Sequence, residues 1–246
     1  MYDVYQIMAG DTIDVIANKF GTNSSVIRQL NPNSGFGVGS MIVVPVTNQY
    51  FDIYTIKKGE PIFEEGEVTN GIYCIKEGVC KLSKLSDNGK DQIVKLVKPG
   101  ELLGQRSMIS DEPANLSAVA LEDMEVCFIP RNEVMHFFTE NNQFSMNVMK
   151  TICEDLKGAD DHMVNMAQKT VRQRLVDTLI YLEETFGKNQ DGTLRIQLSR
   201  EELAGMIGTA TESCIRLLSE LNKSKLIELT GKKILLVDKV KLKKFA

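Results

Sequence analysis

The sequence predicts an α+β protein in four parts: a small strand-helix-helix-strand module, an antiparallel β-roll, a long dimerisation helix and a winged helix-turn-helix. Three observations predict it. Near the amino terminus two short runs of helical spacing lie between two strand-like runs. Further on, period-two alternation is punctuated by Gly66, Gly71, Gly78, Gly89 and Gly100 at hairpin spacing. From Asn132 apolar residues recur three and four apart, and the chain closes with a helix, a glycine turn, a helix and a hairpin. The boundaries read from these changes are 1–48, 51–130, 131–168 and 169–246.

The bulk numbers agree with a folded, reduced chain. At 246 residues, with 43% hydrophobic and 25% charged, disordered and fibrous classes are excluded. The net charge of −4 is unevenly spread: residues 169–246 carry 15 Lys/Arg against 10 Asp/Glu, a net +5, and the remainder is −9. A polyanion would therefore meet the carboxy-terminal part. Met1 is followed directly by Tyr-Asp-Val-Tyr, so no secretory signal is expected, and no apolar window approaches the ~20 residues that span a bilayer. Five widely spaced cysteines form no C-x-x-C pair. A cytoplasmic protein without membrane contact, cofactor or metal is expected.

In the first part, Ile13, Ile16, Ala17 and Phe20 share a helical face and Gly21 supplies a stop. A second helix, "SSVIRQL", is capped by Ser24 or Ser25 and ended by Asn31-Pro32. "SMIVVPV", from Ser40 to Val46, reads as a strand. With Gly10-Asp11-Thr12 and Leu30-Asn31-Pro32 at the family's spacing, this part resembles the LysM module. The resemblance implies binding of an N-acetylglucosamine-type glycan in a groove formed by Gly10, Asp11, Thr12, Ile13, Asn31 and Pro32.

The opening "YDVYQIMAGD" recurs in kind as "FDIYTIKKGE" from Phe51, and the likeness then dissolves. Either both folds need a strand followed by a glycine-acid turn, or two genes were fused at a shared sequence. In the β-roll, Cys74 and Cys80 flank the turn Lys76 to Gly78; a two-residue turn sets Cys80 opposite Ile75, which disfavours a disulfide.

Met149, Ile152, Leu156, Ala159, Met163 and Met166 form a heptad seam flanked by charges, which points to a dimer rather than to packing on the chain's own roll. Gly158 marks a bend or a close helix contact. Then Ser199 and Glu202 make a capping box, Leu203, Met206 and Ile207 give a buried face, and Gly208 suits a tight turn. A helix from about Ala210 to Asn222 buries Cys214, Leu217, Leu218 and Leu221, and a hairpin through "TGKK" adds the wing. Thr211, Glu212, Ser213 and Arg216 lie opposite the leucines, where Glu can accept from cytosine N4 and Arg can grip guanine O6 and N7. The alternative is a capping box of Glu212 with Thr209 and a Glu212–Arg216 pair. Ser199, Arg200, Lys232 and Lys233 complete the expected DNA-binding set, the wing lysines neutralising phosphates.

Carried by "KKGEPIFEEGE", "KPGELLG", "LSREELAGMIGTATES" and "IRLLSEL", the chain from about Phe51 onward resembles the cyclic-AMP receptor protein/FNR family of transcription regulators. The resemblance implies a homodimer on an inverted-repeat operator in double-stranded DNA, with RNA polymerase as a further partner and a small-molecule effector in the roll. It also puts Thr211 where the cyclic-AMP-binding member has an Arg, so one base contact differs. The cassette "GELLGQRSMISDEPANLSAVALED" has Gln105 after Gly104 where the ribose-binding Glu stands, and Leu116 before Ser117 where the phosphate-binding Arg stands. A buried phosphate without its cation is costly, so cyclic AMP is not expected in the usual way. The candidate effector pocket is Gly104, Gln105, Arg106, Ser107, Ser117 and Ala118, with Arg106 either meeting an anion or salt-bridged. The cysteine cluster of FNR-type members is missing, and His136 and His162 fall in expected helices. No nucleophile-and-base or metal-ligand pattern suggests an enzyme. The competing reading is a glycan-binding protein of the cell envelope or spore.

Overall fold

The computed structural model describes residues 2–20, 24–32, 34–45, 52–86 and 89–245. It divides into two compact units, Met1–Ile53 and Tyr54–Ala246.

The first unit runs β1 (Tyr2–Gln6), α1 (Ile13–Lys19), α2 (Ser24–Leu30) and β2 (Met41–Pro45). β1 and β2 pair antiparallel with Val4 opposite Val43. Helical spacing brings Ile16 and Ala17 of α1 and Ile27 of α2 onto Ile42 and Val44 of β2, and these residues are its core. Thr12 caps α1 by accepting the Val15 N–H at 3.2 Å. Asn31 is buried: its amide donates to the carbonyls of Ile27 at 2.8 Å and Val43 at 2.6 Å, and its oxygen accepts the Val43 N–H at 2.7 Å. The Leu-Asn-Pro turn is thus a staple between α2 and β2. Ser24 and Ser25 are the first two helical residues rather than a cap ahead of them, and Ser24 bonds Asp14. The stop expected at Gly21, the strand end at Val46, and Phe51 lie outside the described residues.

The second unit holds two four-stranded sheets. One has the order β3 (Asp52–Ile56), β10 (Met124–Pro130), β5 (Gly71–Glu77), β8 (Leu102–Leu103); the other has β4 (Pro61–Phe63), β9 (Ser117–Ala120), β6 (Cys80–Leu85), β7 (Asp91–Val97). Ile75, Cys80, Val97, Leu103, Ala118, Met124 and Val126 form the roll's core. The hairpin expected around Lys76 to Gly78 is absent. β5 and β6 belong to different sheets, so Cys74 faces Cys127 while Cys80 faces Val97 and Ala120. Glycine spacing marks where a chain reverses, not which strand it then joins.

α3 (Gln105–Ser110) follows β8, and α4 (Arg131–Glu140) and α5 (Asn142–Gln168) follow β10. The expected single helix over 131–168 is therefore two, separated at Asn141, whose side chain accepts the Phe144 N–H at 3.0 Å and caps α5. On α5, Met149, Leu156 and Met163 are 48%, 64% and 64% exposed, so this seam does not pack on the chain's own roll. Gly158 neither breaks α5 nor meets any neighbour. α6 (Val171–Phe186), α7 (Arg200–Ile207), α8 (Thr211–Lys223), β11 (Ile227–Thr230), β12 (Lys233–Leu236) and α9 (Lys239–Phe245) complete a winged helix-turn-helix. No helix among the described residues is long and apolar enough to cross a membrane.

The opening decapeptides do the same local work in two different folds. In each of Met8–Asp11 and Lys57–Glu60, the fourth residue's N–H donates to the first carbonyl, its carboxylate accepts the first N–H at 2.8 Å, and the third residue is a glycine at φ 94° or 87°. That is a type II turn closed by a carboxylate. Glu64–Glu67 and Lys98–Glu101 repeat it, with Gly66 at φ 89° and Gly100 at 88°.

Candidate nucleic-acid interface

The helix-turn-helix is set by caps. Ser199 and Glu202 form a reciprocal capping box at the start of α7, and Gly208 ends it in the left-handed region at φ 62°. α8 starts after Ala210, so the alternative capping box with Thr209 is not made. Its apolar face buries Cys214, Leu218 and Leu221. Burial pushes the Cys214 thiol up to about 11, so it behaves as a core residue.

Opposite that face, Glu212 and Arg216 are exposed, and among the described residues neither side chain has a hydrogen-bond or ion-pair partner. Thr211 and Ser213 are half-buried beside them. Ile215, 46% exposed on the same helix, is an apolar neighbour that sequence reasoning passed over, of the kind that meets a thymine methyl. Three other expected residues are committed elsewhere. The Ser199 hydroxyl caps α7, an Arg200 N–H donates to the Gly231 carbonyl at 2.8 Å and ties α7 to the wing, and Lys233 pairs with Asp191 at 2.6 Å. Lys232 alone of the two wing lysines is unpaired among the described residues, where both were expected free.

The winged domain is seated on the roll. Val79, Ile93, Leu96 and Leu121 share one core with Leu175, Leu179, Leu203 and Ile207. Gly205 of α7 packs against the Asp91 carbonyl of β7 so closely that a Cβ would stand 2.4 Å from it. Arg174, not singled out from sequence, joins two helix ends: its guanidinium donates to the carbonyls of Met166 and Lys169 at 3.0 and 2.9 Å, and of Ile207 and Gly208 at 2.7 and 3.3 Å. A cation there complements both helix C-termini.

In the cassette, Gly104 takes φ 82° ahead of α3. The buried Gln105 amide donates to Asp155 of α5 at 3.3 Å, and Lys95 of β7 pairs with the other Asp155 oxygen at 2.7 Å and with Glu101 at 3.4 Å. Although burial lowers the Lys95 pKa, its bonds to Asp155 and Glu101 raise it overall. Lys95 was not singled out from sequence, and Asp155 was read only as a charge flanking the α5 seam; the two lie 60 residues apart along the chain. Arg106 pairs with Glu112 at 3.3 Å, matching the salt-bridged alternative. Ser107 is buried, the Ser117 hydroxyl accepts the Glu65 N–H at 2.9 Å, and Ala118 belongs to the roll's core. His136 lies on α4 and His162 on α5, and burial lowers the pKa of His162. Among the described residues no group of His, Cys, Asp and Glu is placed to hold a metal ion. In the first unit, Asp11, Thr12 and Asn31 spend their side chains on their own backbone, and Asp11 also accepts the Tyr5 hydroxyl at 2.7 Å. Gly10 and Pro32 are exposed and Ile13 half-buried.

Comparison with known proteins gives three family matches: the cyclic nucleotide-binding domain over residues 54–141, the Crp-like helix-turn-helix domain over 173–245 and the LysM domain over 5–45. The transcriptional activator protein Anr of Pseudomonas protegens is 28% identical over 189 residues, covering 76% of this chain and 77% of its own. The anaerobic regulatory protein of Bacillus subtilis is 29% identical over 185 residues, with 73% and 78% covered. Among solved structures, FixK2 from Bradyrhizobium japonicum superposes with a TM-score of 0.70 at 23% identity, over 79% of this chain and 96% of that one, which speaks for the fold.

Proposed function

Since this chain belongs to the CRP/FNR family of DNA-binding transcription regulators, we propose that it acts as a homodimer joined along α5, reading an inverted-repeat operator with Thr211, Glu212, Ser213 and Arg216. The observation that carries this reading is the pair of unpartnered ionic side chains, Glu212 and Arg216, on the outward face of α8. Lys232 adds a phosphate contact that carries no sequence information. Arg200 and Lys233 support the wing, and Ser199 supports α7.

The role places the chain in the cytoplasm beside RNA polymerase at a promoter. The roll takes no cyclic AMP in the usual way, because Leu116 brings no charge to a phosphate and the Gln105 amide is engaged by Asp155. The match at residues 5–45 favours a second activity, binding of an N-acetylglucosamine-type glycan by the amino-terminal unit.

The test is selection of bound sequences from a random duplex pool by the full-length protein without added ligand. An inverted repeat with half-sites about one helical turn apart is expected. Arg216→Ala should cost ~1–3 kcal/mol at one base pair, whereas Lys232→Ala should weaken all sequences alike. Unchanged sequence preference in Arg216→Ala would overturn the assignment of base readout.

A further inference from the structure

A cavity of about 320 Å³ opens between the β-roll and the winged domain; Val119, Ala120 and Leu121 at the end of the cassette are in its wall, but none of the candidate effector residues and no residue of α8 is. Three lysines line it: Lys58 from the turn after β3, Lys81 from β6 and Lys232 from the wing. The carboxylate among the lining residues, Glu202, is already engaged. One of its oxygens accepts the Ser199 N–H at 2.8 Å, and the other lies 3.9 Å from Lys81. Lys81, whose side chain is only 14% exposed, is balanced by Asp91 at 2.9 Å. Lys58 and Lys232 have no ion-pair partner among the described residues, so two uncompensated positive charges border one concavity in a chain whose net charge is −4.

Ligand sites favour such seams between domains, and this volume lies within their range of roughly 300–1,000 Å³. Ammonium groups bind phosphate as point charges. The Gln197 amide and the Ser199 hydroxyl proton are further donors on the wall, and no aromatic ring is present there to stack a nucleobase. We infer that this cavity is a binding site for a compact phosphorylated small molecule carrying at least two negative charges. Its groups come from the roll and the wing together, so a bound ligand fastens one to the other. It also draws Lys232 away from the DNA backbone, which couples ligand and operator negatively. A duplex is convex and reaches only the rim, whereas a free phosphate enters.

The experiment is calorimetric titration of the full-length protein with inorganic tripolyphosphate at fixed salt and without DNA, each variant being checked for native unfolding by circular dichroism. Saturable binding of one tripolyphosphate per protomer is expected. Lys58→Gln should weaken it about tenfold, the loss of one charge-assisted hydrogen bond. Lys76→Gln, an exposed β5 lysine outside the cavity, should leave it unchanged. Absence of saturable heat, or equal weakening by Lys76→Gln, would overturn the inference. So would a Lys58→Gln variant that binds tripolyphosphate normally and loses affinity only for DNA with long flanks, which would assign the lysine to the nucleic acid. No DNA enters the titration, so its failure is distinguishable from failure of the operator reading.

Discussion

A single methyl group added at Gly205 probes how the winged domain is seated. The new Cβ would stand 2.4 Å from the Asp91 carbonyl oxygen of β7, and real Cβ contacts essentially never fall below 3.0 Å. A backbone oxygen has no rotamer to retreat into, so α7 must lift off the roll. Overpacking of this kind costs about 1–3 kcal/mol. Against it, replacing glycine by alanine inside a helix gains about 1 kcal/mol, leaving a net loss of up to ~2 kcal/mol. Gly158 in α5 is the internal control, since nothing lies within 4 Å of its added Cβ. The same substitution there should stabilise by about 1 kcal/mol. Both variants are compared by urea unfolding at one protomer concentration, because dimer stability depends on concentration. With a slope near 3 kcal/mol per molar, the midpoint should fall by up to ~0.7 M for Gly205→Ala and rise by ~0.3 M for Gly158→Ala. If both rise, α7 is not packed on β7 as described.

Other substitutions test the remaining joints. Arg174→Lys keeps the charge but cannot serve four carbonyls at once, and should cost ~2–3 kcal/mol with weakened operator binding; unchanged thermal unfolding would refute its joining role. A double-mutant cycle on Lys95→Gln and Asp155→Asn should return a coupling of about 1 kcal/mol, modest because both groups are partly hydrated; additivity would show that the pair contributes nothing. Glu183 is buried between Lys188 and Lys239. Burial raises its pKa, and the two lysines more than reverse this, leaving it below the ordinary 4.5. Its contribution is therefore present above that value and lost as pH falls through the lower, folded one. Urea titrations between about pH 6 and 3 should show wild type losing more stability than Glu183→Gln, with the variant ~1–2 kcal/mol weaker at neutrality; parallel pH profiles would refute the pairing.

What could be read beforehand was whatever depends on near neighbours. The Ser199–Glu202 box and the glycine turn at Gly208 are local signals, so the helix-turn-helix was legible. The α5 seam was legible from periodicity, but not the break at Asn141, where a capping asparagine resembles any helical polar residue. Long-range partners were invisible. Arg200 was read as a DNA-binding residue and Lys233 as a phosphate-neutralising one because nothing in the sequence says that Gly231 and Asp191 fold onto them. Lys95 drew no notice and Asp155 counted only as a charge flanking the seam, because each is an ordinary charge until β7 and α5 meet. The same blindness put Cys74 beside the wrong strand.

The four carboxylate-closed turns bear on how kinship is inferred. Two of them open unlike folds, and their flanking strands share enough residues to suggest a duplicated ancestor. The common demand is stereochemical: a glycine at positive φ, then an acid whose length lets it reach back three residues. Aspartate meets it in one fold and glutamate in the other. Ten aligned positions can thus arise by convergence, and a genealogy drawn from them would record a shape that polypeptides keep rediscovering.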